Sequence, residues 1–533
     1  MNLFGGKYAP FTVLSLSIAF FTFLLAAIYL PVLQHTGGII AYPLDDAYIH
    51  MAIAKNIALH HVWGISSHEF SSSSSSILYP LLLAGLYKIF GIGVGIPLYL
   101  NIAVAVIFIV VLRMWLEKQG LDPVKQMIAL LLVILLVPLA PLVQCGMEHT
   151  LQLLLYFLFV STFAEALENR DRALPWKVYV YGLFFITTRY ESIAVVVISC
   201  LFLLFYRKWF NAILLGAICF LPILIFGLYA LAHGNDFLPN SVLIKSAMPP
   251  LTPAGLYSYF SGPFEERLFI ADGGYNMAGT QRLLLLLPLT YLTFQKQLSQ
   301  CPAYKIILAI LTIASLAHLA FMLYAGTPRY EAALVGTSIA ICTTLLLKYA
   351  SFNGNRNFSA IEWIKIAFGL VILGPIILRG WYGFDRASLA AISIYDQQVQ
   401  MGHFVHQYYD QDPVAFNDIG AISYYAHGKN LDLWGLGDID VARSRRKHYD
   451  SAEFLDSLSH SRNVKIAIVF EKAFRSLVTR WTKVASWTIP YNNASADKSV
   501  YFYAVDSLET SRLQNSLKGY QRSLPPGVIV IYY

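Results

Sequence analysis

The chain has 533 residues, 57% of them hydrophobic and 13% charged, with a net charge of +7 and a mean hydropathy of +0.56. Soluble globular proteins carry about 25% charged residues, so this composition excludes an ordinary soluble enzyme and indicates a polytopic membrane protein. The positive balance calls for no nucleic acid, because Lys and Arg collect at the ends of apolar runs, as cytoplasmic loops require.

The first apolar run, residues 11–33, is too long for a signal-peptide core and has no clear cleavage site, so an uncleaved membrane helix is expected. Hydropathy places further spans at 93–115, 126–145, 148–167, 177–190, 191–206, 211–232, 280–294, 305–324, 330–348 and 365–382, about eleven in all. The run Ile77–Phe90 suits a juxtamembrane or re-entrant helix, being only about fourteen residues long. With Lys7 in the cytoplasm, the basic clusters Arg113/Lys118/Lys125, Arg170/Arg172/Lys177, Arg207/Lys208, Lys296/Lys305 and Lys348/Arg356/Lys365 all fall inside. Counting Ile77–Phe90 as a span would invert them. The loop 34–92, the loop 233–279 and the C-terminal segment are then expected on the outer side. The cysteines Cys145, Cys200, Cys219, Cys301 and Cys342 lie in or beside apolar runs without metal-ligand spacing, so neither a disulfide framework nor a zinc site is expected.

From about residue 385 the long apolar runs stop. Short β-type runs follow at 414–418, 430–435, 464–470, 499–505 and 527–533, with a polar helix expected over Asp440–Ser459. This pattern suggests a membrane domain over 1–384 and a soluble α/β domain over 385–533.

The chemistry-bearing residues gather on the expected outer side. Asp45 and Asp46 in "YPLDDAYIH" open a helix whose Ile49, Ile53 and Ile57 recur every four residues, the pattern of an amphipathic helix resting on the membrane surface. One carboxylate suffices to cap a helix, and a second like charge beside it calls for a cation. Glu148 and His149 in "CGMEHT", Arg189 and Glu191 in "TRYES", Asp236, Asn240 and Lys245 in "HGNDFLPNSVLIKS", and Arg329 and Glu331 in "GTPRYEA" sit at other outer ends. Ionisable residues at membrane depth are costly, which makes a functional site the default reading. The serine run Ser71–Ser76 reads equally as a flexible loop or a substrate-facing one.

These segments, in order, resemble motifs of the GT-C glycosyltransferases, membrane enzymes that use polyprenyl-phosphate sugars. "DDAYIHMAIAKN" resembles the DDAYI-type opening. "GMEHTLQLLL" resembles S-G-[LM]-E-T-x-L, with Cys145 and His149 departing from Ser and Thr. "TRYES" resembles R-P-E-G, "HGNDFLPNSVLIKS" resembles Y-G-x-x-L-P-N-T-x-x-A-K, and "GTPRYEAAL" resembles R-Y/F-x-x-P without its proline. "NDIGAISYYAHGKNLDLWGLGDIDVAR", residues 417–443, is similar to a run of the family's C-terminal domain. The mycobacterial terminal arabinofuranosyltransferases and their bacterial relatives are the nearest group.

The resemblance implies a multi-pass protein of the bacterial inner membrane, with its active site and C-terminal domain facing the periplasm. It implies an inverting transfer to a hydroxyl of a glycan, lipid or protein acceptor. An aspartate of the pair Asp45/Asp46 would be the general base, Asp45 matching the usual position. Arg329, Lys245 and Arg189 would hold the donor phosphate; Glu148, Glu191, Tyr48, Tyr330, Asn240 and His149 would contact substrate. No cofactor or metal ligand set is evident, although some members of the superfamily use a divalent metal, and a monomer is expected. A transporter or flippase of a polar lipid is the alternative. It is disfavoured by the lack of internal repeats and by charges placed at outer ends rather than mid-membrane.

Overall fold

The computed structural model describes residues 9–168, 173–245, 252–269, 274–322, 327–349, 360–447 and 449–533. Lys7, Arg170, Arg172 and Arg356 lie outside the described residues, as does the side chain of Lys245.

Every expected apolar run is helical. The helices are α1 (Ala9–His35), α2 (Asp45–His60), α3 (Leu78–Phe90), α4 (Ile96–Lys118), α5 (Pro123–Leu136), α6 (Leu139–Gln144), α7 (His149–Glu168), α8 (Trp176–Thr188), α9 (Ser192–Phe205) and α10 (Trp209–Ala232). There follow α11 (Asn240–Lys245), α12 (Pro253–Phe260), α13 (Pro263–Phe269), α14 (Gly274–Leu298), α15 (Pro302–Phe321), α16 (Ala332–Tyr349) and α17 (Ala360–Ile394). Among the described residues, α1, α4, α7, α10, α15 and α16 are long and apolar enough to cross a membrane. The single span expected over 126–145 is broken. Pro138 disfavours helix at Val137, so α5 ends and α6 restarts after it. Helix α3 measures only about 20 Å at 1.5 Å per residue, against a hydrocarbon core of about 30 Å.

The expected surface position of α2 is wrong. Residues Ala47 to Asn56 are all buried, because α3 covers one side of the helix and a short helix from the C-terminal part covers another. The stripe of isoleucines is one packed face among several. Lys55 survives burial by donating from Nζ to the Tyr424 carbonyl at 2.5 Å. The serine run is packed as well: Ser71, Ser72, Ser73, Ser74 and Ser76 are buried.

Helix α17 passes position 385 unbroken and continues through a π-helical turn, Tyr395–Val399, into α18 (Gln400–Tyr408). A six-stranded sheet follows: β1 (Val414–Phe416), β2 (Leu431–Asp432), β3 (Ile466–Val469), β4 (Thr482–Thr488), β5 (Ser499–Ala504) and β6 (Ile529–Tyr532), in the order β2-β1-β3-β5-β4-β6. β1 is parallel to β2 and β3, and the other pairs are antiparallel. Strand β4 was not expected; its polar and apolar residues do not alternate cleanly. The helix expected over Asp440–Ser459 is two, α20 (Ile439–Arg446) and α21 (Ala452–Ser461), after α19 (Gly420–Tyr425). Asp438 caps α20, and Ser451 accepts from Phe454 N to start α21.

Alternation along β3 divides the hydrophobic core in two. Ala467 and Val469 pack with Leu431, Val441 and Leu455. Ile466 and Ile468 join a cluster containing Ile49, Ile53, Trp63 and Ile65. The loop after α1 is therefore part of the core of the C-terminal unit, and α2 is the shared element. Its contact with α19 is tight: a methyl group at Gly420 would lie 2.0 Å from the backbone oxygen of Asp45. Overpacking of this kind costs ~1–3 kcal/mol. Gly420→Ala is expected to lower the melting temperature of the purified protein and to speed limited proteolysis between the membrane helices and the sheet. Unchanged melting and cleavage would refute the tight packing.

Candidate active site

Helix α2 starts without a side-chain cap: Leu44 is extended, and the two aspartates occupy the first turn. Their carboxylates diverge. Asp45 accepts from Gly420 N at 2.6 Å and from Ala421 N at 2.8 Å, so it caps the N-terminus of α19 rather than its own helix. Burial and the neighbouring charge of Asp418 push its pKa up to about 8, against the two amides that pull it down. Asp46 points to the other side and accepts from Arg329 Nη2 at 2.7 Å, with its side chain 21% exposed.

Asp46 lines a cavity of about 320 Å³. Polar side chains stand on part of its wall: His50, Ser73, Ser75, Arg189, Glu191 and Tyr330. Apolar side chains, among them Ile49, Met147, Ile193, Leu238, Val242 and Phe321, form most of the rest. The turn between α8 and α9 presents Arg189, whose Nε and Nη2 both reach Glu191, at 3.0 and 2.5 Å. Its Nη1 reaches Glu148 Oε1 at 2.5 Å. Glu148 also meets His50 Nε2 at 3.2 Å and accepts from Ser75 Oγ at 3.3 Å. Burial opposes the Glu148 charge, but His50 and Arg189 outweigh it and hold the carboxyl well below its ordinary range. Both Arg189 and Arg329 lie against Tyr330, at 4.9 and 4.8 Å from the ring centroid, a cation–π arrangement. The result is a chamber with an apolar wall, on which Arg189 stands with the carboxylates of Asp46 and Glu191, while the Arg329 guanidinium lies behind Asp46.

The turn carrying Glu148 is shaped by Gly146. It has φ +64°, and a Cβ there would meet the Tyr42 ring at 2.3 Å.

The expected residues do not all converge. Arg189, Glu191, Tyr330 and Asp46 face the cavity, while Glu148 and Arg329 lie behind it in contact with those residues. His149 packs on Tyr330 with ring centroids 5.7 Å apart. Tyr48 does not reach the cavity; it is buried against Tyr42, Tyr424 and Tyr425. Asn240 is buried at the start of α11, with its side-chain amide unpartnered and its N–H donated to Ser72 O. Glu331 turns away from the cavity to Arg379 Nε at 2.7 Å. His50 and Arg379 were missed, and Ser73 and Ser75 stood in a run that read equally as a flexible loop or a substrate-facing one. Arg379 ended an apolar span that gave no hint of a partner.

A family model described as a domain of unknown function, DUF8728, matches residues 390–503. No curated protein matches the chain. Among solved structures, the chain is similar to ArnT from Cupriavidus metallidurans bound to undecaprenyl phosphate, at 10% identity and TM-score 0.51, over 92% of this chain and 98% of that one. The apo form of ArnT gives 11% identity and TM-score 0.45 over the same shares. Arabinofuranosyltransferase AftD from Mycobacteria gives 13% identity and TM-score 0.35, over 91% of this chain and 40% of that one. The chain thus shares the fold of ArnT, mostly helical with a small C-terminal sheet domain.

The raised pKa of Asp45 has a definite sign. The folded state holds this proton more tightly than the unfolded state, so the group's stabilisation is full below the unfolded value of 3.8 and is lost as pH rises through about 8. The melting temperature of the wild type is expected to fall between pH 6 and 9, and the fall to be shallower in Asp45→Asn. Parallel curves for the two proteins would refute the assignment.

Proposed function

We propose that the chain is an inverting glycosyltransferase that moves a sugar from a polyprenyl-phosphate donor to a hydroxyl of a cell-envelope acceptor. The observation that carries this reading is the cavity, where Asp46, Arg189 and Tyr330, backed by Arg329, meet an apolar wall suited to a prenyl chain. The resemblance of the ordered motifs agrees with it, as does the fold shared with ArnT, whose solved structure holds undecaprenyl phosphate. The reaction takes place at the periplasmic face of the bacterial inner membrane, in keeping with the basic loops assigned to the cytoplasm.

The chemistry divides between the two aspartates. The resemblance puts Asp45 at the usual base position, but its oxygens are occupied by two amides, and its role here is to dock α19. Asp46 is the base. It takes the proton of the acceptor hydroxyl as that oxygen attacks the anomeric carbon and the C–O bond to phosphate breaks. Negative charge then collects on the departing polyprenyl phosphate, where Arg329 and Arg189 stabilise it. A donor phosphate that reaches Arg329 competes with Asp46 for its guanidinium.

The test is transfer of radiolabelled sugar from polyprenyl phosphate to glycan, lipid and protein fractions of the envelope by reconstituted protein. Asp46→Asn is expected to lower the rate by about 10²–10⁴-fold, with a melting transition that shows the variant still folds. Arg329→Lys should lose the bidentate geometry and raise the donor KM. Wild-type transfer by Asp46→Asn would sink the base assignment. Lipid flipping without transfer would sink the enzyme reading.

A further inference from the structure

Away from the cavity, three side chains distant in sequence meet at one corner of the C-terminal unit. His406 lies in the last turn of α18, Asp410 follows it by four residues, and His427 lies in the loop between α19 and β2. His406 Nδ1 is 2.8 Å from Asp410 Oδ1. His427 Nδ1 is 3.0 Å from Oδ1 and 3.1 Å from Oδ2 of the same carboxylate. One ligand atom from each residue lies within 4.8 Å of the others.

We propose that His406, Asp410 and His427 form a binding site for a divalent transition-metal ion of the zinc class, independent of the transferase chemistry. A tetrahedral ion with ligands at about 2.0–2.2 Å separates those ligands by roughly 3.4 Å, which small side-chain rotations reach from the observed distances. The donor set of two imidazoles and one carboxylate selects against magnesium and calcium, which prefer oxygen alone, and suits zinc. All three side chains are open to solvent, 53%, 28% and 45% exposed in chain order, so an ion enters freely and water completes its coordination.

The position gives the ion a task. The loop of His427 also touches the loop after α1: the His427 carbonyl meets His68 Nε2 at 3.1 Å, and Lys429 pairs with Glu69 at 3.5 Å. An ion joining His427 to the end of α18 would staple that loop to the helix leading from the membrane domain. Without an ion, the same carboxylate accepts a hydrogen bond from each imidazole, and this is the competing explanation.

The experiment uses full-length protein in detergent, purified through a tag free of histidine and stripped with chelator. Zinc is titrated by calorimetry, with magnesium as control, and melting is followed with and without zinc. One zinc per chain and a zinc-dependent rise in melting temperature are expected. His406→Ala, His427→Ala and Asp410→Asn should each weaken binding by about tenfold or more and abolish the rise. Their melting temperatures without metal report whether they fold. No saturable zinc binding by the wild type would overturn the proposal in favour of a hydrogen-bonded triad only. Binding of equal strength in all three folded variants would overturn it by placing the ion elsewhere.

Discussion

The carboxylate of Asp45 is the joint on which the arrangement depends. Two backbone N–H groups at the start of α19 converge on it, and only glycine at position 420 lets the chains come close enough. An α-helix turns about 100° per residue, so fixing Asp45 toward the C-terminal unit forces Asp46 to face elsewhere. Where it faces is Arg329 and the cavity. His50, one turn further along, shares that stripe and meets Glu148 there. The rotational setting of one helix thus decides which acid is held in a joint and which is left at the chamber wall.

The buried charges are arranged in alternation. Arg189 stands between Glu148 and Glu191, Arg329 stands beside Asp46, and Arg379 stands beside Glu331. Leaving any one of these unpaired in a dry interior would cost ~3–5 kcal/mol, so each pair is a condition for the others. Arg379 also donates to the carbonyls of Leu136 and Pro328. It thereby ties α17 both to the break after α5 and to the segment that carries Arg329. The network is structural at its base and becomes chemical only where it meets the cavity.

Much of this was legible in the sequence, for physical reasons. Apolar runs marked the membrane helices, and the costliness of buried charge marked Arg189, Glu191 and Arg329. What was not legible depended on chain segments far apart. The isoleucines of α2 suggested one buried face, yet Ala47, Ala52 and Ala54 are small enough to bury the rest beneath α3 and α19. Low complexity left 71–76 open between a flexible loop and a substrate-facing one, and gave no sign of how its hydroxyls are satisfied inside: Ser74, for example, donates to Ser76 O. Tyr48 looked available beside two aspartates, but aromatic neighbours from residues 424 and 425 enclose it. His406, Asp410 and His427 carried no recognisable spacing because the third comes from another loop.

Helix α17 has a mechanical consequence. A helix that runs to Ile394, even with Pro375 inside it, transmits torque better than a loop would. The place of altered hydrogen bonding is the wide turn at 395–399, and it is pinned on several sides: Asp396 to His35, and Gln398 to Asp418 and Ser495. Relative rotation of the two halves therefore has to strain those tethers. The tethers thus hold the two halves in one relative setting, and, among the described residues, the short connections around the chamber carry no such pins to the π-helical turn.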